Sequence, residues 1–298
     1  MTINTAHNIG PARIDIAYEQ LGDPHAPPVL LIMGIGGQLI AWPDGLCDEL
    51  VGRGLHVIRF DNRDVGQSTH LTGAPPPDLA AAIAGDHSSA SYTLSDMAAD
   101  AVGLLDALGV DSAHLVGASM GGFIAQTIAI EHPHRVRSLT SMMSTTGDRS
   151  VGQPHADATR ALAGPPPTSR EAIVQRTLDV FRAVGSPGFP ADLEGIADRA
   201  GRAFDRAFDP LGMARQAVAV IASGDRTSRL RSLDIPALVI HGANDQMIDP
   251  SGGRATAAAI PGAELLVIDG MGHDLPRALW PQLATRIRAL IERGEAGR

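Results

Sequence analysis

The feature that most constrains this chain is the hexad Gly117-Ala118-Ser119-Met120-Gly121-Gly122, set between a short apolar run at 114–116 and a helical pattern at 123–130. A strand that turns sharply into a helix through glycines belongs to a sheet covered by helices. The rest of the chain agrees. Short apolar runs recur at 29–33 (VLLIM), 56–60 (HVIRF), 139–143, 237–240 and 265–268, with helix-length segments among them. Runs that are apolar throughout, rather than at alternate positions, suit parallel strands buried on both faces. The stretch 93–108 carries Leu94, Met97, Ala101, Leu104, Leu105 and Leu108 at helical spacing, with Ser95 as the expected N-cap, Asp96 in the first turn and Gly109 as the stop. Two more helices are expected at 254–260 and 281–291. The expected fold class is α/β, a mostly parallel central sheet with helices on both faces.

Between 147 and 231 the strand rhythm stops. This segment is rich in Ala, Arg, Asp and Pro, contains Pro165-Pro166-Pro167, and places Ile196, Phe204, Phe208 and Leu211 on one helical stripe. It reads as a helical cap inserted into one core, so the expected domains are a core at 1–146 and 232–298 and a cap at 147–231. A second loop-like stretch, 69–91, contains Pro75-Pro76-Pro77.

The charge balance is 24 basic against 33 acidic residues, net −9. Such a surface repels phosphate backbones and anionic lipid, so no nucleic-acid or membrane partner is expected. No apolar run reaches the ~18 residues of a membrane span, and the N-terminus lacks the basic and apolar regions of a signal peptide. The expected location is the cytoplasm. One cysteine, Cys47, excludes an intrachain disulfide and reads as a structural thiol. No metal-ligand spacing is visible, and the glycine-rich loops match neither a dinucleotide fingerprint nor a P-loop. No metal and no cofactor are expected. The sequence gives no indication of oligomeric state.

The hexad has the form G-x-S-x-G. A nucleophilic serine on a strand-to-helix turn needs glycines two positions either side, because the turn crowds its neighbours. A serine needs a base, and the base an orienting acid. In this architecture both follow the serine, acid first. Asp245 lies just past the run at 237–240, and His273 lies on the glycine-rich loop after 265–268. The alternatives are weaker. His241 precedes Asp245 and gives the wrong order, Asp249 and Asp269 are rival acids, and His132 and His134 follow a helix end. The oxyanion hole is expected from the backbone N–H groups of Met120 and of Ile35, in the loop Met33-Gly34-Ile35-Gly36-Gly37.

At this point the chain resembles the α/β-hydrolase superfamily over nearly its whole length. Met33 stands where members often carry histidine. Asp61-Asn62-Arg63-Asp64-Val65-Gly66-Gln67-Ser68 resembles a structural turn of these enzymes, usually D-x-R-G-x-G-x-S, with Asp64 in place of glycine. These departures, with Trp42-Pro43-Asp44 and Gly270-Met271-Gly272-His273, are similar to the aclacinomycin methylesterase-like branch. The resemblance implies an α/β-hydrolase fold and hydrolysis of the methyl ester of a bulky acid.

The expected function is therefore a serine hydrolase cleaving a small-molecule carboxylic ester through an acyl-enzyme on Ser119. A lactonase, C–C bond hydrolase, cofactor-free perhydrolase or acyltransferase would use the same triad, and a non-catalytic ligand receptor could share the fold. Four of the six phenylalanines, Phe181, Phe189, Phe204 and Phe208, fall in the insertion and are the expected substrate-pocket residues. Packing of the cap against itself competes with that role, above all for Phe204 and Phe208.

Overall fold

Each apolar run named above is a strand in the computed structural model, which describes residues 2–164 and 167–296. Pro165 and Pro166, and the outer ends of the expected core at Met1, Gly297 and Arg298, lie outside the described residues. The strands are β1 (Asn4–Ile9), β2 (Ile14–Leu21), β3 (Pro28–Ile32), β4 (His56–Phe60), β5 (Ala113–Ala118), β6 (Val136–Met142), β7 (Ala237–Gly242) and β8 (Glu264–Ile268). They form one eight-stranded sheet in the order β1-β2-β4-β3-β5-β6-β7-β8. β2 pairs antiparallel with β1 and β4, and the other pairings are parallel.

The hairpin β1–β2 is an addition to the sequence reading. β1 lies at the sheet edge and buries only Ala6 and Ile9. β3, in the middle of the sheet, is buried at every position. Its alternate residues fill two different cores. Leu30 and Ile32 pack with one cluster, Val29 and Leu31 with the other. That division explains why the run lacks polar alternation.

Eleven α-helices are described. Four precede β6: α1 (Asp44–Val51), α2 (Leu79–Ile83), α3 (Leu94–Ala107) and α4 (Met120–Glu131). Five fill the stretch between β6 and β7: α5 (Ala156–Leu162), α6 (Arg170–Val184), α7 (Leu193–Arg206), α8 (Pro210–Ser223) and α9 (Thr227–Leu230). The last two are α10 (Ser251–Ala259) and α11 (Trp280–Ala296). α3 and α4 cover one face of the sheet through Leu104, Leu105, Ile124 and Ile128. α1 and α11 cover the other through Leu46, Leu50, Leu283 and Ile287.

Three local expectations are corrected. The N-cap of α3 is Thr93, not Ser95. The Asp96 carboxylate reaches back to accept the Thr93 N–H at 2.8 Å, while the Ser95 hydroxyl donates to Glu131 on α4. The stripe from Ile196 to Leu211 is not one helix. α7 stops at Arg206, and α8 restarts with Pro210 in its first turn and Asp209 accepting the Gly212 N–H at 2.9 Å. The loop at 69–91 contains α2, capped by Asp78 accepting from the Ala81 N–H at 2.8 Å. Among the described residues no helix is long and apolar enough to cross a membrane.

Candidate active site

β5 delivers the chain to Ser119 and α4 carries it away. Between them Ser119 takes φ 56° and ψ −124°, which few non-glycine residues adopt. The glycines two positions away are sterically required. A Cβ on Gly117 would lie 2.1 Å from the Gly121 carbonyl oxygen, and one on Gly121 would lie 1.9 Å from the Ile32 carbonyl oxygen. The turn thus presses the start of α4 against the ends of β5 and β3, and Ser119 Oγ stands clear of the sheet.

β7 and β8 bring the other two groups. His273 Nε2 lies 3.1 Å from Ser119 Oγ, and His273 Nδ1 lies 2.7 Å from Asp245 Oδ2. Asp245 is 0% exposed. Its Oδ1 accepts the N–H groups of Met247 and Ile248, each at 2.9 Å. Burial would raise its pKa. Hydrogen bonds from His241 and His273, the His273 charge and the Ile248 N–H outweigh burial and hold the carboxyl well below the usual carboxylate range. The carboxyl is therefore ionised at neutral pH, with Oδ2 against His273 Nδ1.

The rival residues sit elsewhere. Asp249 bonds His155 at 3.1 Å and the Ser251 N–H at 2.9 Å, and Asp269 is exposed. His134 is exposed and His132 half-buried. Cys47 is buried in α1, where burial pushes its thiol up to about 12. His241 is a partner that chain order concealed. Its Nε2 lies 2.8 Å from the Ile248 carbonyl and 3.4 Å from Asp245 Oδ2.

Gly34 brings the loop after β3 against the serine: a Cβ there would meet Ser119 Cβ at 2.9 Å. Neither the Ile35 N–H in that loop nor the Met120 N–H, first in α4, has an acceptor among the described residues. The loop is held from outside. Asn62 Nδ2 donates to the Met33 carbonyl at 3.1 Å, and the Gly36 N–H donates to Gln216 Oε1 on α8 at 2.8 Å. Sequence reasoning passed over both amides; the one signal for Gln216 is an amide that opens the apolar stretch Ala217 to Ala222 of a helix.

Asp64 takes φ 65°, the conformation that the glycine usual at that position would supply. Its carboxylate is spent on a bidentate pair with Arg215 of α8, at 2.8 and 2.9 Å. Asp61 in the same turn accepts from the Leu39 N–H at 2.6 Å and from Arg206 at 2.9 Å.

Ser119, Met120, His273 and Ile35 all border a cavity of about 1190 Å³. Phe181, Phe189 and Trp280 are among its walls. Phe204 and Phe208 are not among the lining residues. They pair with each other instead, ring centroids 5.2 Å apart. Most of the lining is apolar, and the volume exceeds the roughly 300–1,000 Å³ usual for small-molecule sites. Among the described residues one cluster has metal-like donors, Asp64, His70 and Asp209. The Arg215 guanidinium already bonds both carboxylates, at 2.8–3.1 Å, and supplies the positive charge there.

A family model described as alpha/beta hydrolase fold matches residues 27–276. The chain is similar to the rhodomycin D methylesterase DnrP of Streptomyces peucetius, 32% identical over 91% of this chain and 93% of that protein. It is similar to the rhodomycin D methylesterase DauP of Streptomyces sp. strain C5, 31% identical over 91% of this chain and 93% of that protein. Its backbone is similar to the crystal structure of the esterase RhEst1 from Rhodococcus sp. ECU1013, with a TM-score of 0.71, 21% identity, and coverage of 98% and 99% of the two chains.

Proposed function

The chain belongs to the alpha/beta hydrolase fold family, and from that premise we propose that it is a serine carboxylesterase acting on the methyl ester of a bulky, largely apolar acid. The observation that carries the proposal is the relay from Ser119 Oγ through His273 to buried Asp245, at 3.1 and 2.7 Å. In this reading Ser119 gives its proton to His273 Nε2 as Oγ attacks the ester carbonyl. The oxyanion accepts from the Ile35 and Met120 N–H groups. His273 then protonates the leaving alkoxide, and methanol departs. Water, deprotonated by His273, attacks the acyl-Ser119 carbonyl; collapse of the second tetrahedral intermediate returns the proton to Ser119 Oγ and releases the acid. Asp245 keeps Nδ1 protonated throughout.

The bulky acid is supported by the cavity of about 1190 Å³, far more room than a short acyl group needs. It is supported also by the similarity to two methylesterases. A fluorophosphonate probe tests the chemistry. The expected result is one covalent adduct, on Ser119, with loss of ester turnover. Turnover that persists after complete labelling, or a protein unlabelled and without turnover, overturns the reading.

A further inference from the structure

The loop that carries Ile35 has little to hold it from within. Met33 offers only a thioether, and Gly34, Gly36 and Gly37 have no side chains. Among the described residues, the internal bond of this loop is from the Gly37 N–H to the Gly34 carbonyl, at 3.1 Å. Gly36 has φ 68°, so the backbone here follows a path that its own residues do little to fix.

Gln216 supplies the missing constraint from α8. Its side chain is 0% exposed and both ends of its amide are used. Oε1 accepts the Gly36 N–H at 2.8 Å, and Nε2 donates to the Arg63 carbonyl at 2.8 Å. One planar group thus ties the loop after β3 to the turn after β4. Burying an amide costs free energy unless both ends are paired, and an apolar side chain would fill the same space more simply. Its near neighbours on α8, Val218 and Ala219, are of that kind. The bond from the Gly36 N–H to Gln216 falls on the Ile35–Gly36 peptide, next to the one that bears the Ile35 N–H. Met213, from the same helix, closes on Gly36, where a Cβ would meet its Sδ at 2.8 Å.

We propose that Gln216 is a positioning residue of the oxyanion hole: its amide fixes the Ile35–Gly36 peptide so that the Ile35 N–H is aimed at the oxyanion formed on attack by Ser119. The proposal rests on the esterase reading above. It gives the inserted helices a part in catalysis beyond enclosing the substrate. An N–H that is aimed at developing charge acts in the transition state more than in the ground state, so its misplacement lowers kcat and spares KM.

The test compares wild type with Gln216→Leu, with Gln216→Met as a second variant of native length should the first fail to fold. Asp209→Asn is the control, because it weakens the pairs with His70 and Arg215 at the start of α8 and leaves both Gln216 hydrogen bonds in place. Each protein is assayed for kcat and KM on one ester. Each is also titrated with a trifluoromethyl ketone, which forms an anionic tetrahedral adduct on serine, and with the unreactive amide of the same acid. Deleting an oxyanion donor outright costs about 10²–10³ in kcat. Misplacing one is expected to cost about 10- to 100-fold in kcat and in ketone affinity together, with KM and amide affinity within about threefold. Asp209→Asn is expected to lower Tm and leave kcat and ketone affinity unchanged. A folded Gln216 variant with wild-type kcat and ketone affinity overturns the proposal. So does an Asp209→Asn protein whose kcat falls as far as that of the Gln216 variant. A wild type that neither turns over esters nor takes up the ketone overturns the esterase reading itself, and this inference with it.

Discussion

Ser119 occupies a backbone conformation that costs a non-glycine residue about 1–3 kcal/mol. Its neighbours enforce it. The Ser119 N–H donates to the Met142 carbonyl at 2.9 Å, and the Ser119 carbonyl accepts from the Gly122 N–H at 2.9 Å and from Ser144 Oγ at 3.0 Å. Ser119→Ala should keep the fold and lose roughly 10⁴-fold or more in kcat. Ser119→Gly should be as inactive yet more stable than the alanine variant by about 1 kcal/mol, because glycine relieves the strain. Thermal melts of the pair check this, and a glycine variant that melts below the alanine one contradicts stored strain. Asp245→Asn places an amide against His273 Nδ1, which reverses the tautomer and leaves no lone pair facing Ser119. The expected loss in kcat is about 10⁴-fold. Asp269→Asn, on an exposed side chain, should leave kcat near wild type, and the reverse ranking would move the acid to Asp269. The depressed pKa of Asp245 has a sign as well. The folded-state value lies below the unfolded 3.8, so the carboxylate contributes its stabilisation in full above that pH and loses it as pH falls below. Tm should drop on acidification below about pH 4, and less steeply in Asp245→Asn.

At the scale of elements, α8 is one of the helices between β6 and β7 that pack against the turn after β4. His70, beside the core turn, faces an acceptor with each ring nitrogen: the Gly66 carbonyl at 2.9 Å and Asp209 Oδ2 at 2.9 Å. Only the imidazolium donates on both sides. Burial opposes the charge, but the Gly66 bond and the Asp209 bond and charge prevail and raise the pKa. A raised folded-state value makes this stabilisation complete below the unfolded 6.5 and lost as pH rises through the folded one. Tm should therefore decline above neutral pH in wild type, and His70→Gln should flatten that decline. A decline of equal steepness in the variant would assign it to other groups. The legibility of strands in the sequence follows the continuity of their apolar residues more than their burial. β3 to β7 are readable because they lie inside the sheet, and β8, at its edge, because Leu265 to Ile268 are apolar throughout although mostly only part-buried. β1 and β2 escape notice because polar residues interrupt their apolar ones, even though β2 buries Ile14, Ile16, Ala17 and Glu19. Ser119, Asp245 and His273 could be grouped from the sequence because they follow strand ends in a fixed chain order, and His273 lies within hydrogen-bond reach of both Asp245 and Ser119. Gln216 was not, because its meaning comes from Gly36, 180 residues away. Phe204 and Phe208 show the same limit, since periodicity cannot tell a ring that lines a cavity from one that stacks on its neighbour.

For the whole molecule, the decisive property is how the large cavity is divided about Ser119. With the bulky arm on the acid side, lengthening the acyl chain should raise kcat/KM by up to about fourfold per buried CH₂. Enlarging the alcohol beyond methyl or ethyl should lower it. Two ester series, one varying each arm, measure this, and a preference for acetyl esters of bulky alcohols would reverse the assignment. The packing of α11 also bears on how the molecule comes into being. Leu283, Ile287, Leu290 and Ile291 of this helix are buried in the core that includes Val29, Leu31 and Val57. A ribosome makes α11 after all eight strands, so the nascent sheet must wait with that apolar face partly uncovered. Docking of α11 is thus a late step of folding during synthesis, and the apolar face it covers stays exposed until then.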